Sequence, residues 1–356
     1  MATSDTVSTT VFNTRRVIDR AFGRCKVPPQ SITAERIEIA RDNLFLLLSS
    51  LVNRGIPLWT QEQVILPLYQ GQARIEAPLG TNDLHSVNIR SLSRVSGTST
   101  SSAGGTVASA FDDDFSTALT QTSSDGDVQT EFTSATLVTT VGILPNAAGS
   151  MDLLVERSSD GVSWTMVLDI GAVTHAVGTW VWYDLDGNIA ATYIRIRETG
   201  GGTIDVQEIF WGNNPTEVPM ARLNQDNYLN LPNKVFPGRP LQFWFNRRRG
   251  DSGALPELHT WPVCALANRY DQLVAWRKRY LQDVGTLQQE IEVPQRWYAW
   301  VVAELAAMLA GELPEVSDSR EVLLINKAVV VLSEAQGEER DDSPFFLTPG
   351  LGVYTR

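Results

Sequence analysis

The spacing of apolar residues predicts helices near both ends of the chain. Apolar side chains recur every three or four positions over residues 32–54, and a shorter helix with the same period is expected over 15–23. Towards the C-terminus this period returns in two further segments, 294–310 and 319–335. For the last helix we expect an inward face composed of Val322, Ile325, Val329 and Leu332.

The segment over 294–310 differs from an ordinary surface helix because it is apolar on nearly every side. Between Trp297 and Ala310 the only charged residue is Glu304. Such a helix is normally buried all round, either in the core of a bundle or between subunits. The pattern leaves both of these surroundings open.

Between the terminal helices the pattern changes to the short alternating runs of strands. Runs rich in β-branched and aromatic residues, bounded by Gly and Pro, occur before and after residues 97–213. These runs are 64–66, 87–89, 241–245 and 258–263. Because predicted strands flank it on both sides, we interpret 97–213 as a complete domain inserted into a host domain formed by 12–95 and 214–356.

The insert has the turn pattern of an antiparallel β-sandwich. Its predicted strands are short, and turn dipeptides such as Asp125-Gly126 and Asp160-Gly161 separate them. The expected fold class is therefore α+β. A helical-bundle body with a small β-region would be interrupted by an inserted antiparallel β-sandwich.

The whole net charge of the chain lies in the insert. Residues 97–213 contain three arginines and fifteen Asp or Glu, a balance of −12 that equals the formal net charge of the full chain. The host is therefore neutral, and it has no stripe of clustered Lys and Arg that would favour general binding to nucleic-acid phosphates. Arg247-Arg248-Arg249 is the exception, being either a solvated hairpin tip or a contact with DNA or an acidic neighbour.

Several classes of chemistry find no support in the sequence. The two cysteines, Cys25 and Cys264, are far apart, and we expect buried reduced thiols, not a disulfide or a zinc site. The three histidines lack metal-ligand spacing, and no nucleophile elbow or phosphate loop is present, so we expect no enzymatic activity. We also expect no secretion by the usual route and no membrane span, because the N-terminus is polar and the apolar runs are short.

Three parts of the insert carry more information than periodicity. They are Ala110–Thr117, then Val155–Thr165 with its Ser-x-Asp-Gly-x-x-Trp pattern, and Tyr193–Arg197 followed by Ile204–Phe210. In this order they resemble the motifs of discoidin-like domains, the coagulation-factor type C or galactose-binding-like family. The resemblance implies a jelly roll that binds glycans, lipids or proteins through loops at one end. It also implies a structural role for Trp164.

Many relatives in that family hold a structural calcium near the first motif. By resemblance, the side chains nearest such a site would be Asp114, Thr117 and Glu208, and hard oxygen ligands suit calcium. Asp113 stands where relatives usually have glycine. The alternative is that these residues belong to a solvated acidic turn, so no cofactor is certain.

Trp180 and Trp182 are candidates for contact with a glycan. They are two positions apart and therefore share one face of a strand. A pair of rings in this arrangement either stacks on a sugar or is buried in the core of the sandwich.

The host has its own set of sequence features. They are the two N-terminal helices, the turn Asn53–Trp59, the segment Leu231–Pro240, the closing helices and the terminal Val353–Arg356. Together they resemble head-to-tail adaptor proteins of short-tailed bacteriophages. The resemblance implies a ring-forming structural protein, usually a dodecamer, that joins the portal to the tail in the virion neck after assembly in the host cytoplasm. The portal, tail-nozzle and tail-fibre proteins would be its partners, and DNA would pass through without specific binding.

The C-terminal stretch 337–356 begins acidic and ends in aromatic anchors without a period. This pattern indicates an extended docking arm or a frayed tail. As an arm, it would contact the portal through Phe345, Phe346, Leu351 and Tyr354. The alternative function for the whole chain is a carbohydrate-binding, host-attachment module on a helical anchor.

Overall fold

The computed structural model of the chain describes residues 12–53, 58–185, 190–248, 253–282 and 284–338. The chain forms two compact units, a helical unit of Met1–Glu62 with Lys278–Arg356 and a β unit of Gln63–Arg277. This division does not follow the boundaries of the predicted insert, because the strands that flank the insert group with it and not with the helices. The predicted arm contacts Phe345, Phe346, Leu351 and Tyr354 lie outside the described residues, as do residues 54–57 and Arg249.

The helices occur close to where the apolar period predicts them. In chain order they are α1 Thr14–Cys25, α2 Ala34–Asn53, α3 Gln225–Leu229, α4 Tyr298–Ala310 and α5 Asp318–Glu338. The side chain of Asn13 caps α1 by accepting a hydrogen bond from the backbone N–H of Arg16. At the other end, Lys26 takes the left-handed conformation with φ of 62° and ends the helix.

The apolar helix α4 is the centre of the helical unit. It contacts α1, α2 and α5, and the side chains of Trp300, Val301 and Leu305 are buried among them. The sequence left two environments open for this helix, a bundle core or a contact between subunits. In the structure the helix is buried in a core formed by residues of the same chain. Within the described ranges, no helix is long and apolar enough to span a membrane.

The predicted inward face of α5 is wrong. Val322, Ile325 and Val329 are exposed, and Leu332 is only partly buried. The helix instead buries Leu324, Ala328 and Ala335. α5 is apolar on two sides, so its period is satisfied by either, and the side that carries two alanines allows the closer approach to a neighbouring helix.

The described part of the chain contains eighteen strands. They are β1 Gln61–Pro67, β2 Arg74–Glu76, β3 Thr81–Arg94, β4 Thr98–Ser101, β5 Leu119–Thr120, β6 Asp127–Thr136, β7 Thr140–Pro145, β8 Gly149–Ser158, β9 Thr165–His175, β10 Val181–Asp184, β11 Ala191–Glu198, β12 Asp205–Pro219, β13 Ala221–Leu223, β14 Pro237–Gly238, β15 Gln242–Asn246, β16 Glu257–Trp261, β17 Val263–Cys264 and β18 Gln272–Arg279. All lie within the sequence bounds of the β unit except the first two residues of β1 and the last two of β18. A seven-stranded sheet has the order β1-β18-β3-β12-β7-β10, with β5 paired to β12, and a five-stranded sheet has the order β4-β6-β11-β8-β9. Smaller sheets are β13-β15-β16-β2 and β14-β17.

The insert is an antiparallel sandwich, as predicted. Its two layers are the five-stranded sheet and the β12-β7-β10 part of the larger one, and they bury one shared core between them. Ile143 and Trp211 come from the larger sheet, while Val155 and Ile196 come from the smaller. A buried hydrogen bond of 2.9 Å from Nε1 of Trp211 to Oγ1 of Thr130 joins the layers.

The long strand β12 makes the insert continuous with the flanking strands. Its first half pairs with β7, while its second half pairs with β3, where Thr216 faces Ser91. Gly212 has a partner on each side, Arg94 in β3 and Thr140 in β7. A break in register follows immediately, at Asn213–Thr216. The insert is therefore joined to its host through a sheet and not through a linker.

Both cysteines are buried and free, as predicted. Burial raises the pKa of each thiol to about 11, with Arg320 opposing the rise at Cys25 and Asp271 adding to it at Cys264. A thiol with so high a pKa is almost wholly protonated near neutral pH and is a poor nucleophile.

Candidate functional site

The first sequence motif of the insert forms a turn that is closed by its own side chains. Oδ1 of Asp112 accepts a hydrogen bond from the backbone N–H of Asp114 at 2.9 Å. Oδ1 of Asp114 in turn accepts from the backbone and the hydroxyl of Ser116, at 3.0 and 2.6 Å. The hydroxyl of Thr117 donates to Oδ2 of Asp112 at 2.9 Å. Asp113 has a φ of 63°, a region that favours glycine and tolerates Asp, so the departure from the family pattern costs little here.

Arg94, the last residue of β3, reaches this turn from outside the insert. Its guanidinium forms ion pairs with Asp113 and with Glu208, whose side chain is fully buried. The same guanidinium lies over the rings of Phe210 and Tyr270, at 5.5 and 5.6 Å from their centroids. The buried carboxylate of Glu208 thus has a fixed positive partner on the neighbouring strand.

Burial and the guanidinium act in opposite directions on Glu208. Burial raises the pKa of the carboxyl group to about 7, although the hydrogen bond and the charge of Arg94 lower it. For Arg94, burial lowers the pKa, but the bonds to Glu208 and the charge of Asp113 outweigh burial, so the net direction is upward. The guanidinium therefore stays charged, while Glu208 titrates near neutral pH.

The residues suggested for calcium do not fit that ion. Arg94 places a positive charge against Glu208 and Asp113, and a divalent cation beside it would be repelled. The near side chains Asp114 and Thr117 already bind within the turn. Among the described residues, no group of three or more His, Cys, Asp or Glu is arranged to hold a metal ion.

Trp180 and Trp182 are stacked on one another and buried. Their ring centroids are 4.9 Å apart at an angle of 18°, and the residues are 3% and 8% exposed. The outer face of Trp182 lies on Gly142, where an added Cβ would be 2.3 Å from the ring, and its edge meets Phe210. Of the two alternatives for this pair, the structure has the buried one, and neither ring has a broad face open to a sugar.

Trp180 also belongs to the wall of a cavity of about 220 Å³. The other walls come from two segments outside the insert and from the first motif; the lining residues are Leu68, Tyr69, Gln70, Phe115, Trp180, Leu266 and Arg269. The hydroxyl oxygen of Tyr69 accepts a hydrogen bond of 2.8 Å from the backbone N–H of Trp180 and fixes one wall. Phe115 meets Trp180 edge-on, with 5.8 Å between ring centroids.

Arg269 supplies the charge of this cavity. Its guanidinium lies 5.5 Å from the ring centroid of Phe115 and 4.9 Å from that of Tyr270, and it pairs with Oδ2 of Asp113 at 3.3 Å. Through Asp113, the cavity and the Arg94 pair share one network of ionic contacts. The network combines two residues of the insert, Asp113 and Glu208, with Arg94, which precedes the insert, and Arg269, which follows it.

Trp164 and the arginine run, which the sequence also singled out, both form contacts within the chain. Trp164 is partly buried and carries the guanidinium of Arg195 on its ring at 4.0 Å. In the arginine run, Arg247 pairs with Asp83 and Arg248 with Glu257 at 3.0 Å. The sequence left a solvated hairpin tip, a contact with DNA or a contact with an acidic neighbour open for this run. In the structure both arginines are paired with acidic residues of the same chain.

The sequence did not reveal Arg94, Tyr69, Arg269 or Tyr270 as parts of this site. These residues precede or follow the insert, and they reach it only because β3, β12 and β18 belong to one sheet. The sequence carries one weak signal for them, the adjacent Arg269-Tyr270 pair, which combines a cation with an aromatic ring shortly before β18.

The chain matches no protein-family profile and no curated protein. Several solved structures are similar to about a third of it. One is a family 32 carbohydrate-binding module from Clostridium perfringens in complex with GalNAc-β-1,3-galactose, with 14% identity over 32% of this chain and 92% of that one, at a TM-score of 0.29. Another is the family 62 module of Xyl5A from Clostridium thermocellum, with 18% identity, coverage of 35% and 98%, and a TM-score of 0.31. A third is a chitosan-binding module from Paenibacillus sp. IK-5, with 20% identity, coverage of 34% and 97%, and a TM-score of 0.29.

Proposed function

We propose that the β unit binds carbohydrate in the cavity between the insert and its flanking strands. The observation that carries the proposal is the composition of the walls. Phe115, Trp180 and Tyr69 supply apolar ring edges, while Gln70 and Arg269 supply hydrogen-bond donors. A mainly apolar cavity with a few polar groups that converge is the usual form of a small-ligand site.

The size of the cavity limits its ligand. At about 220 Å³ it is smaller than the cavities of roughly 300 Å³ and more that hold drug-sized molecules, so we expect it to admit one sugar ring at the end of a glycan. The bound sugar ring would contact the ring edges of Trp180 and Phe115. The stacked faces of Trp180 and Trp182 would serve as rigid support.

The test is a glycan array and titration calorimetry with the full chain. Leu266→Trp would fill the cavity from its exposed rim, and we expect it to weaken glycan binding at least tenfold. Leu79→Trp is the matched control, because Leu79 is a leucine of the same unit with similar exposure, 60% against 54% for Leu266, and it does not line the cavity. Binding that survives Leu266→Trp would move the site elsewhere, and an array without any bound glycan would reject the proposal.

A second candidate function is that of a head-to-tail adaptor of a short-tailed bacteriophage. One observation favours it, the concentration of exposed large apolar residues on α5, which calls for a partner surface. Under this proposal the protein is a non-enzymatic virion component. It forms a ring, with twelve copies as the expected number from the resemblance, between the portal and the tail, and DNA passes through the ring without specific binding.

The test is electron microscopy of the protein alone and mixed with its cognate portal. The adaptor proposal expects rings of subunits, free or stacked on the portal. It also expects that a chain lacking Pro344–Arg356, and with it Phe345, Phe346, Leu351 and Tyr354, folds but does not dock. Dispersed particles beside bare portals would reject the adaptor, and undiminished docking by the truncated chain would reject the arm.

A further inference from the structure

Arg269, in the wall of the cavity, has fewer ionic partners than two other partly buried arginines of the β unit. Its side chain is 23% exposed, close to the 21% of Arg94 and the 16% of Arg195. Arg94 and Arg195 each pair with two carboxylates. Arg269 pairs with one, that of Asp113, and its side chain forms no hydrogen bond with the described residues. A guanidinium has five N–H donors, so most of those on Arg269 are available to a ligand.

The single carboxylate that Arg269 contacts is shared with two other donors. Oδ1 of Asp113 pairs with Arg94 and also accepts a hydrogen bond from the hydroxyl of Tyr270. The pair with Arg269 uses Oδ2 at 3.3 Å, which is long for a hydrogen bond between charged groups, usually about 2.7–2.9 Å. Asp113 therefore satisfies the charge of Arg269 only in part.

Two aromatic rings hold the guanidinium of Arg269 beside the cavity. The ring centroids of Phe115 and Tyr270 are 5.5 and 4.9 Å from it. Phe115 and Arg269 both line the cavity, so the charged group already lies where a ligand would meet it. A side chain held in this way loses little conformational entropy when a ligand binds.

The ionic groups in direct contact with one another leave room for an additional negative charge. Arg94 and Arg269 contribute two positive charges, and Asp113 contributes one negative charge. Glu208 contributes the second negative charge only in part near neutral pH, because burial raises its pKa to about 7. The network therefore has a net charge between zero and one positive unit, which favours an anionic ligand over a cationic one.

Two further carboxylates of the first motif, Asp112 and Asp114, oppose an anion near the cavity. Neither lines it. Oδ1 of each accepts a hydrogen bond from a backbone N–H of the turn, and both residues are exposed, so water and salt screen their charges. We expect them to weaken the attraction of Arg269 for an anion without reversing it.

Given the carbohydrate binding proposed above, we propose that the sugar in the cavity is a uronic acid whose carboxylate pairs with Arg269. A carboxylate is planar and matches the fork of N–H donors on a guanidinium. The hydroxyls of the sugar would bind the side-chain amide of Gln70, while its ring contacts Phe115 and Trp180. The ligand thus gives Arg269 the second anionic partner that comparable arginines have within the chain.

The experiment compares matched pairs of sugars by titration calorimetry with the full chain. The methyl glycosides of galacturonic acid and galactose differ only at C6, as do those of glucuronic acid and glucose, so the ratio of the two affinities isolates the carboxylate. We expect at least one uronic acid to bind about tenfold more tightly than its neutral counterpart. Arg269→Gln should reduce this ratio to about one. Arg222→Gln is the control, because Arg222 pairs with Asp83 at 2.8 Å and does not line the cavity.

Asp113→Asn tests the proposal by a gain of binding, which remains informative if Arg269→Gln disturbs the fold. It removes the carboxylate that competes for Arg269, and asparagine tolerates the backbone at this position, where φ is 63°. We expect the preference for the uronic acid to rise about threefold. Asp83→Asn is the matched control, because Asp83 also pairs with two arginines, Arg222 and Arg247, and does not line the cavity. A preference that falls or stays unchanged in Asp113→Asn would overturn the proposal.

The outcomes distinguish the uronic acid from carbohydrate binding as such. Equal binding of neutral and uronic sugars, lost in Leu266→Trp, would keep the carbohydrate site and reject the uronic acid. A preference for uronic acids that persists in Arg269→Gln would also reject the pairing. Tighter binding of galactose 6-sulfate than of galacturonic acid would assign the anion to a sulfate ester and overturn the carboxylate. A chain that binds no glycan at all would reject both proposals.

Discussion

Arg94 forms an ion pair with Glu208 across the boundary of the inserted sandwich. Glu208 is fully buried, while about a fifth of the Arg94 side chain is exposed. Arg94 therefore lies between the carboxylate and solvent and shields it. A carboxylate in this position needs a partner, because an isolated buried charge costs several kcal/mol. The partner comes from a strand that ends before the insert begins.

At about pH 8, where Glu208 is ionised, Arg94→Met should destabilise the β unit by about 3 kcal/mol, because it leaves the buried carboxylate without its cation. Unfolding by urea, followed by fluorescence, measures the change in free energy. Arg41→Met is the control for removal of an arginine from an exposed pair, here with Glu38, and should cost less than about 1 kcal/mol. Equal effects of the two substitutions would contradict the role given to the Arg94 pair.

The stability of the β unit should fall as pH rises through about 7, compared with a Glu208→Gln variant. The folded-state pKa of Glu208 is raised to about 7, mainly by burial, so its contribution is fully present below its unfolded value near 4.5 and is lost as the group ionises. The difference between the two proteins should change by roughly 2–3 kcal/mol between about pH 5 and pH 8. Urea unfolding across this range measures it, and parallel curves for the two proteins would refute the assignment.

Gly142→Ala should destabilise the sandwich by about 1–3 kcal/mol, since the new methyl group would lie 2.3 Å from the ring of Trp182. The stacked ring has no free space to move into, because Trp180 lies on its other face. Gly149→Ala in β8, the next strand along the chain, is the matched control, because nothing lies within 4 Å of its added Cβ. Thermal unfolding of the two variants gives the comparison, and a neutral Gly142→Ala would show that the ring pair is loosely held.

Calcium should leave the melting temperature unchanged, whether it is added or removed with a chelator. Oδ1 of Asp114 already accepts two hydrogen bonds from Ser116, and the carboxylate of Glu208 is paired with Arg94. Differential scanning calorimetry with and without calcium is sufficient to check this. A calcium-dependent increase in the melting temperature would mean that Arg94 moves aside for the ion.

The positions of the elements were largely predictable, while their partners were not. The apolar period over 32–54 corresponds to α2 at Ala34–Asn53, and the runs at 241–245 and 258–263 correspond to the antiparallel pair β15 and β16. These features are local, so neighbouring residues determine them. The buried side of α5 depends on what lies beside the helix, and its sequence offers two apolar sides of similar quality.

The candidate site was predictable only in the part that the insert itself supplies. Phe115, Trp180 and Glu208 belong to the insert, and two of these were singled out from its sequence. Tyr69 and Arg269 are separated from Phe115 by 46 and 154 positions, and no local pattern relates them to it. They became visible once the pairing of β12 with both β7 and β3 was known, because that pairing brings distant strands together.

The two-sided pairing of β12 also determines how the sandwich would respond to a mechanical load. A domain on a flexible linker reorients before any force reaches its support. Here a pull on the sandwich acts at once on the backbone hydrogen bonds between β12 and β3, where Glu217 faces Arg90 and Val218 faces Ile89. Several such bonds loaded along the strands must break together, which makes the junction stiff. A pulling force on a ligand bound in the cavity would therefore act directly on the sheet of the β unit.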